Sequence, residues 1–199
     1  MQVVIVTEIY GRTAAIDQMV DRFAGQSCGV TVVDPYSGAV QRFIDEEEAY
    51  SSFMDLCGHD RYANLVQETI SALEGPLFVI GFSVGAAAAW RALESQGVDK
   101  IAHFIGFYPG QIRHHLEVEP ACPVTLIFPL EENHFSVSAV MNELAEKEQV
   151  HCHQVSDLHG FMNPCSAHYT EFTARDFYNR LGDLEVSSQP DLFRGKLSN

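Results

Sequence analysis

The chain has 199 residues, and 27 acidic against 12 basic side chains give it a formal net charge of −15. That length supports one domain with a substantial core and leaves little room for a second. So acidic a surface, with no basic stripe, repels phosphate; this excludes nucleic acid and anionic membrane faces as partners and favours a small-molecule ligand. No apolar run reaches the roughly 20 residues that span a bilayer, and the five cysteines are scattered without a CxxC pair, as in a reduced, cytoplasmic protein.

The first segment, "MQVVIVTEIYG", lacks the basic start and cleavage site of a signal peptide and reads as the first strand, "VVIV" at 3–6. Ile16, Met19, Val20 and Phe23 then recur at helical spacing, with Thr13 as N-cap and Gly25 as stop. "VTVVD" at 30–34 predicts a second strand. Residues 45–60, "DEEEAYSSFMDLCGHD", are long and polar for a connection and predict a loop or short helix beside the site, the acidic run being a solvated helix start. Tyr62, Leu65, Val66, Thr69, Ile70 and Leu73 form a helical stripe ended by "GP" at 75–76. "LFVIG" at 77–81 predicts a strand and the alanine-rich run after it a helix; "IAHFIGF" at 101–107 and "VTLIF" at 124–128 are further strands. Val137, Val140, Met141 and Leu144 mark another helix, "VHCHQV" at 150–155 a sixth strand, and Tyr169, Thr173, Phe177 and Leu181 a last helix before a polar tail, 185–199.

Strands that are apolar almost throughout are covered on both faces. Their alternation with helices predicts a doubly wound, mostly parallel sheet of about six strands in an α/β/α sandwich, one domain over residues 1–184. In such sheets chemistry gathers at the carboxyl ends of the strands.

There stands "GFSVG". Gly81 and Gly85 flank Ser83 between a predicted strand and a predicted helix, the pattern of a nucleophile elbow. A serine hydroxyl needs a base, and the base an orienting acid, in the chain order nucleophile, acid, histidine. His159 in "SDLHGF" follows the last strand, and "LEEN", with Glu131 and Glu132, follows the strand before it. His151 and His153 share one face of a predicted strand without a carboxylate or CxxC at ligand spacing, so neither a metal nor another cofactor is expected. Trp90, Phe104, Phe107 and Tyr108 read as core, and His114 and His115 as solvated.

"VVIVTEIYG", "VVDPYSG", "VIGFSVGAAAAW", "FIGFYPG" and "DLHGF" together resemble the dienelactone hydrolase family of the α/β-hydrolase fold, over nearly the whole chain. The resemblance implies Ser83 as nucleophile, His159 as general base, and an oxyanion hole of the Ile9 and Val84 N–H groups. For the acid, counting from "CPV" at 122–124 gives Glu132, and counting back from "HF" at 134–135 gives Asn133. A carboxylate stabilises an imidazolium better than an amide, which selects Glu132, with Glu131 and Asn133 as alternatives.

The family's founding enzyme has cysteine at the elbow, where this chain has Ser83. The glutamate that contacts the resting thiol there matches Glu8, which is left with substrate contact or shaping of the oxyanion loop. An arginine that helps hold the substrate carboxylate there is replaced by Asn163, so dienelactone itself is not the expected substrate. Tyr10 and Tyr36, just past strand ends, are expected as pocket walls. The two antiparallel strands that usually precede the oxyanion strand are missing, which implies a trimmed sheet and an open site without a lid domain. The expected activity is hydrolysis of small carboxylic esters or lactones; a thioesterase or peptidase would use the same groups, and a non-catalytic binding protein on this fold is the rival class.

Overall fold

A computed structural model describes residues 1–26, 28–94 and 98–182. Six strands form one sheet: β1 (Gln2–Val6), β2 (Gly29–Val33), β3 (Leu77–Phe82), β4 (Ile101–Phe107), β5 (Val124–Phe128) and β6 (Val150–Gln154). Their spatial order is β2-β1-β3-β4-β5-β6, and every pairing is parallel. Each of the six matches a predicted apolar run to within about a residue. β3, β5 and nearly all of β4 are buried from end to end, which is why those segments carry no polar alternation.

Successive residues of a strand face opposite ways, and the two sides of this sheet collect separate cores. Val3 and Ile5 join Phe78, Ile80, Ile105 and Phe107 under α1 (Ala14–Ala24) and α6 (Glu171–Leu181). Val4 and Val6 join Val79, Phe104 and Leu126 under α3 (Gly58–Ala72), α4 (Val84–Ala92) and α5 (Val137–Leu144), with Phe53 of α2 (Glu46–Leu56) completing that layer. The result is the expected three-layer sandwich. The stripe predicted for α1 points into the first core through Ile16, Met19 and Phe23. Of that predicted for α6, Phe177 and Leu181 do so beside Ala174, whereas Tyr169 precedes the helix and is exposed, and the half-buried Thr173 donates its hydroxyl to Asp157 Oδ2.

Residues 45–60, left open between loop and helix, are helical. Asp45 caps α2 by accepting from the Glu48 N–H at 2.9 Å, while the Glu48 carboxylate accepts from the Ile44 N–H at 2.6 Å, a reciprocal cap. The three glutamates of its first turn sit where the helix dipole favours negative charge. The predicted tail, 185–199, lies outside the described residues.

The chain runs from β1 outward to β2 and then returns across β1 to β3. The connections leaving β1 and β3 therefore diverge, and a crevice opens between their carboxyl ends. Thr7, Glu8 and Ile9 leave β1 at this crevice, and Ser83 leaves β3.

Candidate active site

β3 ends at Phe82 and α4 begins at Val84, so one residue reverses the chain. That residue, Ser83, has φ 49° and ψ −119°, a conformation that costs a non-glycine residue of order 1–3 kcal/mol. Its surroundings hold it there: the Ser83 N–H donates to Phe107 O at 2.9 Å across to β4. The flanking glycines are required by space. A Cβ on Gly81 would lie 2.7 Å from Ala86 Cα, and one on Gly85 would lie 2.1 Å from Thr7 O. The alanines that follow are buried and let α4 lie close on the sheet, its positive end beneath the serine.

The acid and the histidine come from the loops after β5 and β6. These loops are tied together: Val155 N–H donates to Phe128 O at 3.0 Å, Leu130 N–H to Asp157 O at 2.8 Å, and Gln154 Nε2 to Leu130 O at 2.9 Å. An isolated antiparallel bridge between Glu132 and Phe135 turns the first loop. Glu131 and Asn133 are exposed on either side, whereas Glu132 is half-buried and faces His159. His159 Nδ1 lies 2.7 Å from Glu132 Oε1, and His159 Nε2 lies 2.9 Å from Ser83 Oγ. The imidazole packs on the buried Tyr108 ring, with centroids 4.9 Å apart. Burial favours its neutral form, but the hydrogen bond and charge of Glu132, joined by the charges of Glu8 and Glu46, outweigh burial and raise the His159 pKa above its usual 6.5.

A cavity of about 430 Å³ opens over these groups, lined in addition by Ile9, Val84, Tyr50, Arg113, Phe135 and His168. Ile9 and Val84, whose backbone N–H groups are the expected oxyanion donors, thus line the same cavity as Ser83. The other expected contacts fall elsewhere. Tyr36 is buried and its hydroxyl donates to Ile9 O at 2.5 Å, so it braces the loop that carries the Ile9 N–H and does not wall this cavity. Tyr10 packs edge-on to Phe43, also outside it. Glu8 is buried at the head of a separate cavity. Burial lifts its pKa from 4.5 to about 7, against the opposing pull of His159 and of the Asn163 amide; Glu46 adds a small upward push.

Several lining residues escaped sequence reasoning. Glu46 and Tyr50 come from α2, in the segment expected beside the site. In "QIRHH" it is Gln111 and Arg113 that line the cavity, while His114 is exposed. These residues form a tight 3-10 turn, Gly110–His114, that residue spacing does not announce. Arg113 donates to Gly110 O at 2.6 Å and lies 5.0 Å over the Phe135 ring, so its guanidinium is held at the cavity wall.

A parallel six-stranded sandwich with a strained serine on the turn after its third strand is an α/β hydrolase. Over residues 1–184 the sequence matches the dienelactone hydrolase family, and the chain belongs to that family. It is 33% identical over 176 residues to YczH of Bacillus subtilis (strain 168), an uncharacterised protein, covering 84% of this chain and 83% of YczH. Among solved structures it is similar to a dienelactone hydrolase-like promiscuous phosphotriesterase from metagenomic libraries, with TM-score 0.66, 17% identity, and 92% of this chain and 84% of that one covered. It is also similar to Est1E of Butyrivibrio proteoclasticus with ferulic acid bound, with TM-score 0.57, 11% identity, and 94% and 90% covered. Among the described residues no helix is long and apolar enough to cross a membrane.

Proposed function

We propose that the chain is a serine hydrolase of small carboxylic esters or lactones, with residues 1–184 as its one catalytic domain. One observation carries this reading: an unbroken line of short polar contacts runs from Ser83 Oγ through His159 to Glu132. A carboxylate at Nδ1 selects the tautomer with its proton there, which leaves the Nε2 lone pair to accept the serine proton. Ser83 Oγ then attacks the ester carbonyl while Nε2 takes its proton, and Glu132 stabilises the resulting imidazolium. The carbonyl oxygen becomes an oxyanion that the Ile9 and Val84 N–H groups receive, a role supported by their place on the wall of the Ser83 cavity. Collapse of the tetrahedral intermediate expels the alkoxide, which leaves as the alcohol with the proton from Nε2. Water, deprotonated in turn by His159, attacks the acyl-serine and releases the acid, returning the proton to Ser83. Tyr36 supports this scheme by fixing the peptide that carries the Ile9 N–H.

Reaction with a fluorophosphonate probe tests the nucleophile. Labelling of the wild-type chain that disappears in Ser83→Ala is expected. A folded wild-type chain that resists the probe and leaves p-nitrophenyl acetate intact would instead favour the non-catalytic binding protein.

A further inference from the structure

A further cavity, of about 120 Å³, lies against the face of α4 that carries Val84, Ala87, Ala88 and Arg91. These positions recur at helical spacing and form one stripe, which runs from beside Ser83 to the guanidinium near the end of the helix. The facing walls are His59 and Asp60, in the first turn of α3, and Gln111, His114 and His115, in and just after the turn Gly110–His114. Val84 and Gln111 also line the cavity over Ser83, so the two adjoin.

The charge on these walls is the reverse of the chain's. One guanidinium and three imidazoles line the cavity with a single carboxylate, in a sequence where acids outnumber Lys and Arg by 27 to 12. The basic groups are held in place. Arg91 Nη1 donates to His59 O at 3.3 Å and Nη2 to Asp60 Oδ1 at 2.9 Å. The His59 ring packs edge-on to the buried Phe53 ring, centroids 5.2 Å apart, and the Tyr50 hydroxyl lies 3.4 Å from His59 Nε2. Trp90 Nε1 donates to His115 O at 2.7 Å and ties that residue to α4. The carboxylates nearby stand in solvent: Asp60, and Glu117 at 3.7 Å from His115 Nδ1, have side chains 91% and 69% exposed, and ion pairs so exposed are worth little. Burial lowers the pKa of both His59 and His115 below 6.5. In each the charge of Arg91 comes next, neighbouring imidazoles act the same way, and Asp60 or Glu117 opposes. An anion among these groups relieves that mutual repulsion. A metal ion does not fit, since among the described residues no three His, Cys, Asp or Glu side chains are placed to hold one.

We propose that this cavity is a binding site for a small tetrahedral oxyanion of the sulfate or phosphate kind, held by the Arg91 guanidinium and the imidazoles of His59, His114 and His115. The volume agrees: it is below the roughly 150 Å³ of a dry cavity that holds benzene, so it takes a compact ion and excludes a ring. The geometry agrees as well. Donors arrive from α3, from α4 and from the turn after β4; a tetrahedral ion presents oxygens in all those directions, whereas a carboxylate presents them in one plane. Imidazoles that are neutral near pH 7 gain charge on protonation, so the anion binds with proton uptake and its affinity rises as pH falls. Binding at this site does not depend on the hydrolase reading.

The test is an amide-proton NMR titration of the full chain with sodium sulfate, whose charge is constant over the range used, at an ionic strength fixed with sodium chloride. Saturable shifts are expected at His59, Arg91, His114 and His115, with affinity about tenfold higher at pH 5.5 than at pH 7.5, the effect of about half a proton taken up per anion. Arg91→Met is expected to weaken sulfate about tenfold or more, as for a lost hydrogen bond between charged groups. Asp60→Asn removes the competing carboxylate and is expected to tighten sulfate severalfold, a gain that a merely structural Arg91–Asp60 pair does not produce. Both variants should keep fluorophosphonate labelling of Ser83. Shifts that do not saturate, or that chloride reproduces, would mean an adventitious ion only and overturn the proposal; so would equal affinity at the two pH values, or wild-type affinity in Arg91→Met. Should Arg91→Met fail to fold, the wild-type pH comparison and Asp60→Asn still decide. Turnover then separates the two sources of the anion. Sulfate that raises KM for p-nitrophenyl 4-sulfobutyrate but not for p-nitrophenyl acetate assigns the group to the substrate, and KM values for both esters unmoved by sulfate assign a free ion.

Discussion

Glu8→Gln removes a buried carboxyl whose pKa is lifted from 4.5 to about 7, and its consequence for stability has a definite sign. In the unfolded chain Glu8 gives up its proton near pH 4.5; in the folded chain it keeps the proton until about pH 7. Between those values the folded state binds more protons, so rising pH stabilises the unfolded state, and the stability contributed by Glu8 is complete below 4.5 and lost on passing 7. At 1.36 kcal/mol per pH unit the interval amounts to about 3 kcal/mol. Glutamine keeps the shape and cannot ionise. The variant should therefore equal the wild type near pH 4.5 and exceed it by about 3 kcal/mol above pH 7.5, or by about 6–12 °C in Tm for a domain of this size. Urea unfolding followed by circular dichroism across pH 4.5–8.5 measures this. A stability difference that is the same at both ends of that range would refute the reasoning, since it would mean that Glu8 does not change its ionisation on folding.

Gly85→Ala places a Cβ 2.1 Å from Thr7 O, a backbone atom that cannot turn aside; urea unfolding should show a loss above the 1–3 kcal/mol typical of overpacked cores, about 3 kcal/mol or more, and an unchanged midpoint would contradict the packing account of the elbow. Glu132→Gln should lower kcat/KM for p-nitrophenyl acetate by roughly 10³- to 10⁴-fold at pH 7, while Asn133→Ala stays within about threefold; an unaffected Glu132→Gln variant would remove it from the triad. Protonated His159 cannot accept the serine proton, so wild-type kcat/KM should fall on acidification with a midpoint above 6.5. In Glu132→Gln that midpoint should move downward, because the partner that opposed burial has gone; a stationary midpoint would assign the limb to another group. Tyr36→Phe releases the Ile9 carbonyl and should lower kcat about tenfold, the worth of about 1.4 kcal/mol of lost positioning, with KM almost unchanged.

What the sequence makes legible follows from the range of the forces involved. The strands are readable because a strand covered on both faces must be apolar throughout, and α1 because Thr13 and Gly25 bracket a regular stripe. Ser83 is readable because the elbow compresses its requirement into five residues. The acid is readable only to within one position: the two sequence anchors around 129–135 disagree by a residue, and the Glu132–Phe135 bridge that turns Glu132 inward and its neighbours outward is a local fold of the loop with no pattern of its own. The sequence puts Tyr36 near the site without disclosing its contact, because a tyrosine hydroxyl reaching Ile9 O is a contact across 27 positions of chain. The cavity beside α4 is invisible in one dimension, since its walls come from separate elements and exist only once α3 and α4 lie on the same face of the sheet.

The central claim is that Ser83, His159 and Glu132 act as one catalytic unit, and the most direct measurement is the turnover of p-nitrophenyl acetate by Ser83→Ala, by His159→Ala and by the double variant, each confirmed as folded. Residues that act in one proton transfer are strongly non-additive. Each single substitution should lower kcat by about 10⁴-fold or more, and the double variant should be no slower than the worse of the two. Single-variant losses that multiply in the double variant, or turnover that survives Ser83→Ala, would contradict it.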